Sequence, residues 1–510
     1  MPPPVETSLE ALLINLLQRI ARAAAAIVDL GAKPRHRFHR RVSLYPRRVQ
    51  RAENRNHFVP WRGLAIRRAY HLGRASIRNT NEVIRPERCI APARQAKLEW
   101  MGANLAVPGA MVRDLIESRG VRDALLWFTR EKQWINEMHL QLCRIPAPTF
   151  LEGERAQWMA AQFRSLGCDA QIDRAGNVVA TVQSRPESAA VVATAHLDTV
   201  LAPRSKEEVF FDGEGKLRGP GAADNGAGLT ALIALAAVLK SVPPLTDCSR
   251  ELVLAANVGE EGEGNLSGMR HLCKQSPLAR RSPAFLVLDG AGTDHITTGA
   301  LGSRRFEIAF SGPGGHSWSD FGIANPVHAL ARTITLFADS TRAALKGNGP
   351  RSTASVSTVE GGSSVNAIAT SARAKVDIRS EDNRRLEEIV QLLTTAVERA
   401  QETENQRASG VRVLAKLKEL GSRPAAKLPE NAAILNYVRA VDAHLGIRSR
   451  MECASTDANI PLSLDMPAVS IGAGGQGGGA HTPDEWFNPD GRDLGLKRVF
   501  LTLALLLRED

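Results

Sequence analysis

The sequence predicts an α/β protein: a mixed, mostly parallel sheet with helices on both faces, interrupted by an inserted ferredoxin-like domain. Three observations predict it. The runs "AAVVATAHLDTV", "ELVLAANV" and "AFLVLDG" are too continuously apolar for strands with one face in water. They alternate with helical stretches such as "EGERAQWMAAQFRSLG" and "GLTALIALAAVLKSV", the grammar of a sheet covered on both sides. After residue 302 the order changes to β-α-β-β-α-β, the ferredoxin-like pattern.

Taken in order, the chain opens with an Arg-rich stretch. Residues 1–100 hold 20 Lys+Arg, 18 of them Arg, against 7 Asp+Glu, so the net charge of +11 belongs to this segment; the remainder has 45 basic and 47 acidic side chains. The body of the protein therefore has no electrostatic reason to bind nucleic acid. For residues 1–105 the plain expectation is disorder, the sharper one a natural start at Met101 or Met111, and an Arg-rich nucleic-acid arm the weakest. Six scattered cysteines without CxxC spacing exclude a disulfide framework and a thiolate zinc site, and point to a cytoplasmic protein. No apolar stretch is long enough to span a bilayer, so no membrane contact is expected.

Helical spacing begins near Met111 and runs to a Pro-rich loop at 145–149. The helix 152–167 closes at Gly167, and strands follow at 177–182 and 189–200. Next come a helix at 228–242, a strand at 251–258, a helix near 265–276 and a strand at 284–290. In the insert, "SRRFEIAFSG", "TASVSTVEGG", "ARAKVDIRS" and "VRVLAKLKEL" read as strands. "NPVHALARTITLFADS" and "RRLEEIVQLLTTAVERAQETE" read as helices. Residues 303–420 are thus expected as a domain inserted between 106–302 and 421–510. The helix "ENAAILNYVRAVDAHLG", the strand "PAVSIGAG" and a final helix return to the α/β body.

Strand ends in such a sheet converge on one crevice. His196 and Asp198 end one strand, Asp224 precedes a helix, the doublet Glu260–Glu261 ends a second strand, Asp289 ends a third, and His481 sits in "GGGAHTPDEW". Two histidines with carboxylates suit Zn²⁺, with Mn²⁺ or Co²⁺ as alternatives, and do not suit Ca²⁺. His196, Asp224, Glu261, Asp289 and His481 make five ligands, more than one catalytic zinc takes, so two metals sharing a bridging carboxylate are expected. Asp224 is the expected bridge, because its Gly-rich loop brings backbone close to the ions. In the doublet, Glu261 would bind metal while Glu260 moves the proton of the attacking water to the leaving amine. Asp198 is placed to accept a hydrogen bond from the second ring nitrogen of His196. Apart from His316, the nine remaining histidines lack partners at useful spacing. "GAGGQGGGAH" is no phosphate loop, since no Lys-Ser/Thr follows its glycines.

"TAHLDTV", "GPGAADNGAG", "NVGEEGEGN", "VLDG", "SGPGGHSWSDF" and "GGAHTPDEW", in this order around the insert, resemble the co-catalytic zinc exopeptidase and deacylase family. That family includes peptidase T, carboxypeptidase G, aminoacylase, acetylornithine deacetylase and succinyl-diaminopimelate desuccinylase. The resemblance covers about residues 106–510. It implies two Zn²⁺, one on His196, Asp224 and Asp289 and the other on Asp224, Glu261 and His481, with a bridging hydroxide and Glu260 as general base. It implies a cis peptide between Asp224 and Asn225. It further implies a homodimer through the inserted lid, with His316 reaching the partner's site to stabilise the oxyanion, and substrate-carboxylate ligands at Asn366 and Arg379. An aspartate at 289 resembles the tripeptidase and dipeptidase branch. The expected substrate is a short peptide, with N-acyl amino acid deacylation as the alternative and a non-catalytic binding protein on the same fold as the rival from another class.

Overall fold

The computed structural model describes residues 107–182, 188–242, 248–281, 284–346 and 349–508. The expectations for residues 1–105 lie outside the described residues.

The helices α1 (Arg119–Arg130), α2 (Lys132–Cys143) and α3 (Gly153–Ser165) lead into a nine-stranded sheet. Its members in chain order are β1 (Asp169–Ile172), β2 (Val178–Thr181), β3 (Ala190–His196), β4 (Glu251–Asn257), β5 (Ala284–Leu288) and β6 (His295–Ala300), joined after Arg423 by three more. The helix α4 (Gly226–Ser241) connects β3 to β4, and α5 (Ser267–Lys274) connects β4 to β5. Every residue of β3, β4 and β5 is buried, which is why these strands read as unbroken apolar runs.

A separate four-stranded sheet takes β7 (Gly302–Ser311), β8 (Ser352–Gly361), β9 (Ser371–Ser380) and β10 (Leu414–Arg423), with α6 (Pro326–Ala344) between β7 and β8 and α7 (Asn383–Arg407) between β9 and β10. Its spatial order β8-β9-β7-β10 is antiparallel throughout. The strand β9 alternates exposed and buried residues, as a sheet with one covered face must. On α7, Leu386, Ile389, Val390, Leu393, Ala396, Val397 and Ala400 recur every three or four residues and pack with Phe306, Ile308 and Phe310 of β7. This apolar cluster is separate from that of the nine-stranded sheet.

The chain then returns through β11 (Ala426–Lys427), α8 (Ala433–Leu445), β12 (Arg450–Ala454) and β13 (Ala468–Ile471) and ends in α9 (Arg492–Arg508). The large sheet has the order β1-β2-β4-β3-β5-β13-β6-β11, with β12 also on β6. Its centre, β4-β3-β5-β13, is parallel; the antiparallel pairings lie towards the edges. Among the described residues no helix is long and apolar enough to cross a membrane.

Candidate active site

Three adjacent parallel strands set the site. His196 is the last residue of β3, paired in register with Asn257 at the end of β4, and Asp289 follows β5 directly. The loop before α4 supplies Asp224, and its closing residue Asn225 caps that helix by accepting the N–H of Gly228 at 3.1 Å. The Asn225 side chain also donates to the carbonyl of Leu288 at 2.9 Å and accepts from Gly290 at 3.1 Å, tying the Asp224 loop to the end of β5. A Cβ on Gly228 would lie 2.6 Å from the carbonyl of Leu288, so only glycine lets α4 approach the strand this closely. The Asp224–Asn225 peptide is cis, as the resemblance implied.

These elements bring five side chains together. His196 Nε2 lies 3.1 Å from Asp224 Oδ1 and 3.9 Å from Asp289 Oδ1. His481 Nε2 lies 3.1 Å from Asp224 Oδ2 and 3.0 Å from Glu261 Oε1. His196, Asp224 and Glu261 each offer a ligand atom within 4.8 Å of the others. His481 stands at φ 64°, a left-handed conformation unusual outside glycine and held here by its loop.

The electrostatics are those of an anionic nest. Burial raises the Glu261 carboxyl to about 7, with the Glu260 charge adding to the effect. Burial, then the neighbouring Asp224, pushes Asp289 well above the usual carboxylate range. For Asp224 burial pushes upward, but hydrogen bonds with His196 and His481 outweigh it and hold the group low. His196 is buried, which disfavours its cation, yet Asp198 and Asp224 lift it well above an ordinary imidazole. The hydrogen bond to Asp224 raises His481 to about 9. Clustered carboxylates with imidazoles as their main counter-charges are a donor set that fits divalent cations.

Glu260 stands beside this group without joining it. Its carboxylate accepts from Arg423 Nη1 at 2.7 Å, with both side chains buried. The hydrogen bond expected between His196 and the Asp198 carboxylate is made instead by the Asp198 backbone carbonyl, 3.0 Å from Nδ1, while the carboxylate stays 3.6 Å away. That carboxylate accepts the backbone N–H groups of Glu260 at 3.0 Å and Glu261 at 2.9 Å, and the hydroxyl of Thr149 at 2.9 Å.

His316, Asn366 and Arg379 belong to the smaller sheet and its loops, and none of their hydrogen bonds or ion pairs reaches the five residues. His316 pairs with Ala367 in a two-residue ladder, and just past it Ser317 N–H donates to the Asn366 carbonyl at 3.0 Å. The Nδ1 of His316 accepts from Trp318 N–H at 3.2 Å, which puts the proton of a neutral ring on the exposed Nε2. Arg379 pairs with Asp377 at 2.7 Å, and Asp377 also holds Arg305 at 3.1 Å.

Three supporting residues escaped the sequence reading. Arg423 is one. Asp457, buried and hydrogen-bonded by Asn257 at 2.6 Å, is raised to about 7 by burial and then by Glu260. Glu485 accepts the backbone N–H groups of Gly221, Ala223 and Asp224, each at 2.8 Å. In Glu485→Gln an amide NH₂ would face at least one of these donors. The variant is expected to be less stable by about 1–3 kcal/mol, checked by denaturant unfolding in chelator; wild-type stability would remove Glu485 as the anchor of this loop.

The model of the family described as Peptidase family M20/M25/M40 matches residues 192–504. The uncharacterised protein YqjE of Bacillus subtilis (strain 168) is 25% identical over 357 residues, covering 68% of this chain and 91% of the relative. Among solved structures, a tripeptidase from Staphylococcus aureus superposes with a TM-score of 0.59 at 21% identity, over 74% of this chain and 99% of that one. The Bacillus subtilis YXEP protein, a dinuclear metal binding peptidase from the M20 family, superposes with a TM-score of 0.53 at 14% identity, over 74% and 99%.

Proposed function

The chain belongs to peptidase family M20/M25/M40, and from that membership we propose that it is a dizinc exopeptidase acting on short peptides. It is a hydrolase of peptide or amide bonds. The observation that carries the finer reading is the meeting of His196, Asp224, Glu261, Asp289 and His481 beside a buried Glu260 that stays outside their contacts. Asp224 touches both histidines through different oxygens, the geometry a bridging ligand needs. In this reading His196 and Asp289 hold one ion with Asp224, and Glu261 and His481 hold the other. Mn²⁺ or Co²⁺ would suit the same donors.

When bound, the two ions would activate the attacking water and polarise the scissile carbonyl. Glu260 would take the water's proton and return it to the leaving nitrogen. Asp198 fixes the backbone from which both glutamates project. A cavity of about 630 Å³ beside Asp224 and Asp289, walled largely by glycine and alanine from 290–292 and 475–480, is of a size for a short peptide. A larger cavity of about 910 Å³ contains none of the five residues and has no part in the reading. His316, protonated on Nε2, would serve the oxyanion of a partner subunit in a homodimer joined through the smaller domain, with Asn366 and Arg379 as carboxylate ligands. Cys143, Cys168, Cys273 and Cys453 are free thiols, which supports a cytoplasmic setting.

His481, raised to about 9, and Glu261, raised to about 7, must give up protons before they can hold a metal. Metal uptake is therefore expected to release protons and to tighten from pH 6 to pH 9. Titration with Co²⁺ in buffers of different ionisation enthalpy checks both; affinity independent of pH would contradict it.

The deciding assay reloads chelator-treated protein with Zn²⁺, Mn²⁺ or Co²⁺. It then offers dipeptides and tripeptides beside N-acetyl and N-succinyl amino acids. Cleavage of the peptides alone is expected. Turnover confined to acylated amino acids would establish the deacylase instead, and turnover of neither would favour a binding protein.

A further inference from the structure

Arg423 occupies an unusual place. It is the last residue of β10, the final strand of the smaller domain, and is paired in register with Ser303 at the start of that domain's first strand. It thus sits where both connections to the large sheet pass. Its guanidinium does not face solvent: the residue is 4% exposed. Nη1 donates to Glu260 Oε1 at 2.7 Å and to Ser455 Oγ at 3.1 Å, while Nη2 donates to the backbone carbonyl of Glu260. One planar group therefore grips the side chain and the main chain of the same glutamate.

The turn that receives Arg423 also grips the two connections. Asn459 Nδ2 donates to the carbonyls of Leu301 at 2.8 Å and Pro424 at 3.0 Å, one on each connecting strand. Its Oδ1 accepts Thr456 N–H at 3.0 Å, fixing the turn. Within the same turn Asp457 is held by Asn257 of β4, three residues before Glu260. Residues 455–459 thus join the root of the smaller domain, the guanidinium of Arg423 and the strand that carries the doublet.

We propose that Arg423 is a positioning residue for Glu260, and that Asn459, by clamping both connecting strands, sets where the guanidinium is delivered. The proposal rests on the reading of Glu260 as the proton-transfer group. An arginine that holds a glutamate's carboxylate by one bond and its main-chain carbonyl by another restricts the side chain's rotamer, and a proton acceptor misplaced by about 1 Å loses on the order of 10²-fold in rate. A lysine cannot reproduce the fork, because its ammonium is a single point of charge.

The test compares Arg423→Ala, Arg423→Lys and Asn459→Ala with the wild type, each loaded with the same metal and measured for metal content, kcat and KM. For Arg423→Ala we expect kcat to fall about 10²-fold with KM and metal content near wild type, and partial recovery of kcat on adding guanidinium. Arg423→Lys should recover little, and Asn459→Ala should lower kcat by a smaller factor in the same pattern. A rise in KM with kcat unchanged would overturn the proposal, since it would make Arg423 a substrate ligand. A kcat loss that guanidinium does not restore would reduce Arg423 to a structural role and overturn it equally. If Arg423→Ala does not fold, Arg423→Lys and Asn459→Ala decide: wild-type kcat in both overturns the proposal. A double variant with Glu260→Gln separates the two readings. If Glu260→Gln alone turns over like wild type, the assignment of Glu260 fails first. If it is slow and Arg423→Ala slows it much further, only the positioning role fails.

Discussion

Glu260→Gln is expected to lower kcat by about 10²–10⁴-fold, the span that a positioned acid–base group contributes, while metal content stays at the wild-type level. The side chain is buried, bonded to Arg423, and outside the contacts that join the five candidate ligands. Glutamine keeps an oxygen to accept from Arg423 and keeps the backbone N–H that Asp198 holds. It cannot take a proton from water. Steady-state kinetics beside elemental analysis of the same sample check the prediction. Unchanged turnover would remove Glu260 as the base, and loss of metal would make it a ligand.

Asp224→Asn is expected to act on binding. Among the described residues the Asp224 carboxylate is the one group in contact with both histidines of the cluster, through Oδ1 and Oδ2 respectively. An amide at this position offers one oxygen and would turn its NH₂ towards the place proposed for the other ion. Loss of a mere outer partner weakens a metal by about 10–100-fold, so loss of a shared ligand should exceed about 100-fold at both positions, and activity should vanish with it. Chelator competition and the metal-to-protein ratio measure this directly. A variant that retained two ions per chain at wild-type affinity would sink the bridging role.

Much of the fold was legible because the central strands are buried on both faces: β3, β4 and β5 carry their apolar runs in plain view. The strand β6, "HITTGA", and the strand β12, "RMECA", were not, since threonine, glycine and charged residues break the pattern and neighbouring strands supply the order. The candidate ligands were legible for a related reason. His196, Glu261 and Asp289 are charged or imidazole side chains placed where an apolar run stops, and Asp224 and His481 lie in glycine-rich loops. Arg423 and Glu485 carried no such mark. Arg423 meets Glu260 across 163 positions of sequence, and Glu485 meets the Asp224 loop across more than 260. Nothing local distinguishes an arginine before a proline or a glutamate after an aspartate from a solvated one. The role of Asp198 was legible in kind but not in detail, because the ring nitrogen of His196 found a main-chain oxygen nearer than the carboxylate.

The two amides that Asp198 gathers have an outcome for the choice of ion. Because one carboxylate pins consecutive residues, a larger or smaller cation bound to Glu261 would, on the proposed function, drag Glu260 along with it. Exchange of the native metal should then register in the speed of bond cleavage as well as in occupancy, with no separate adjustment of the two.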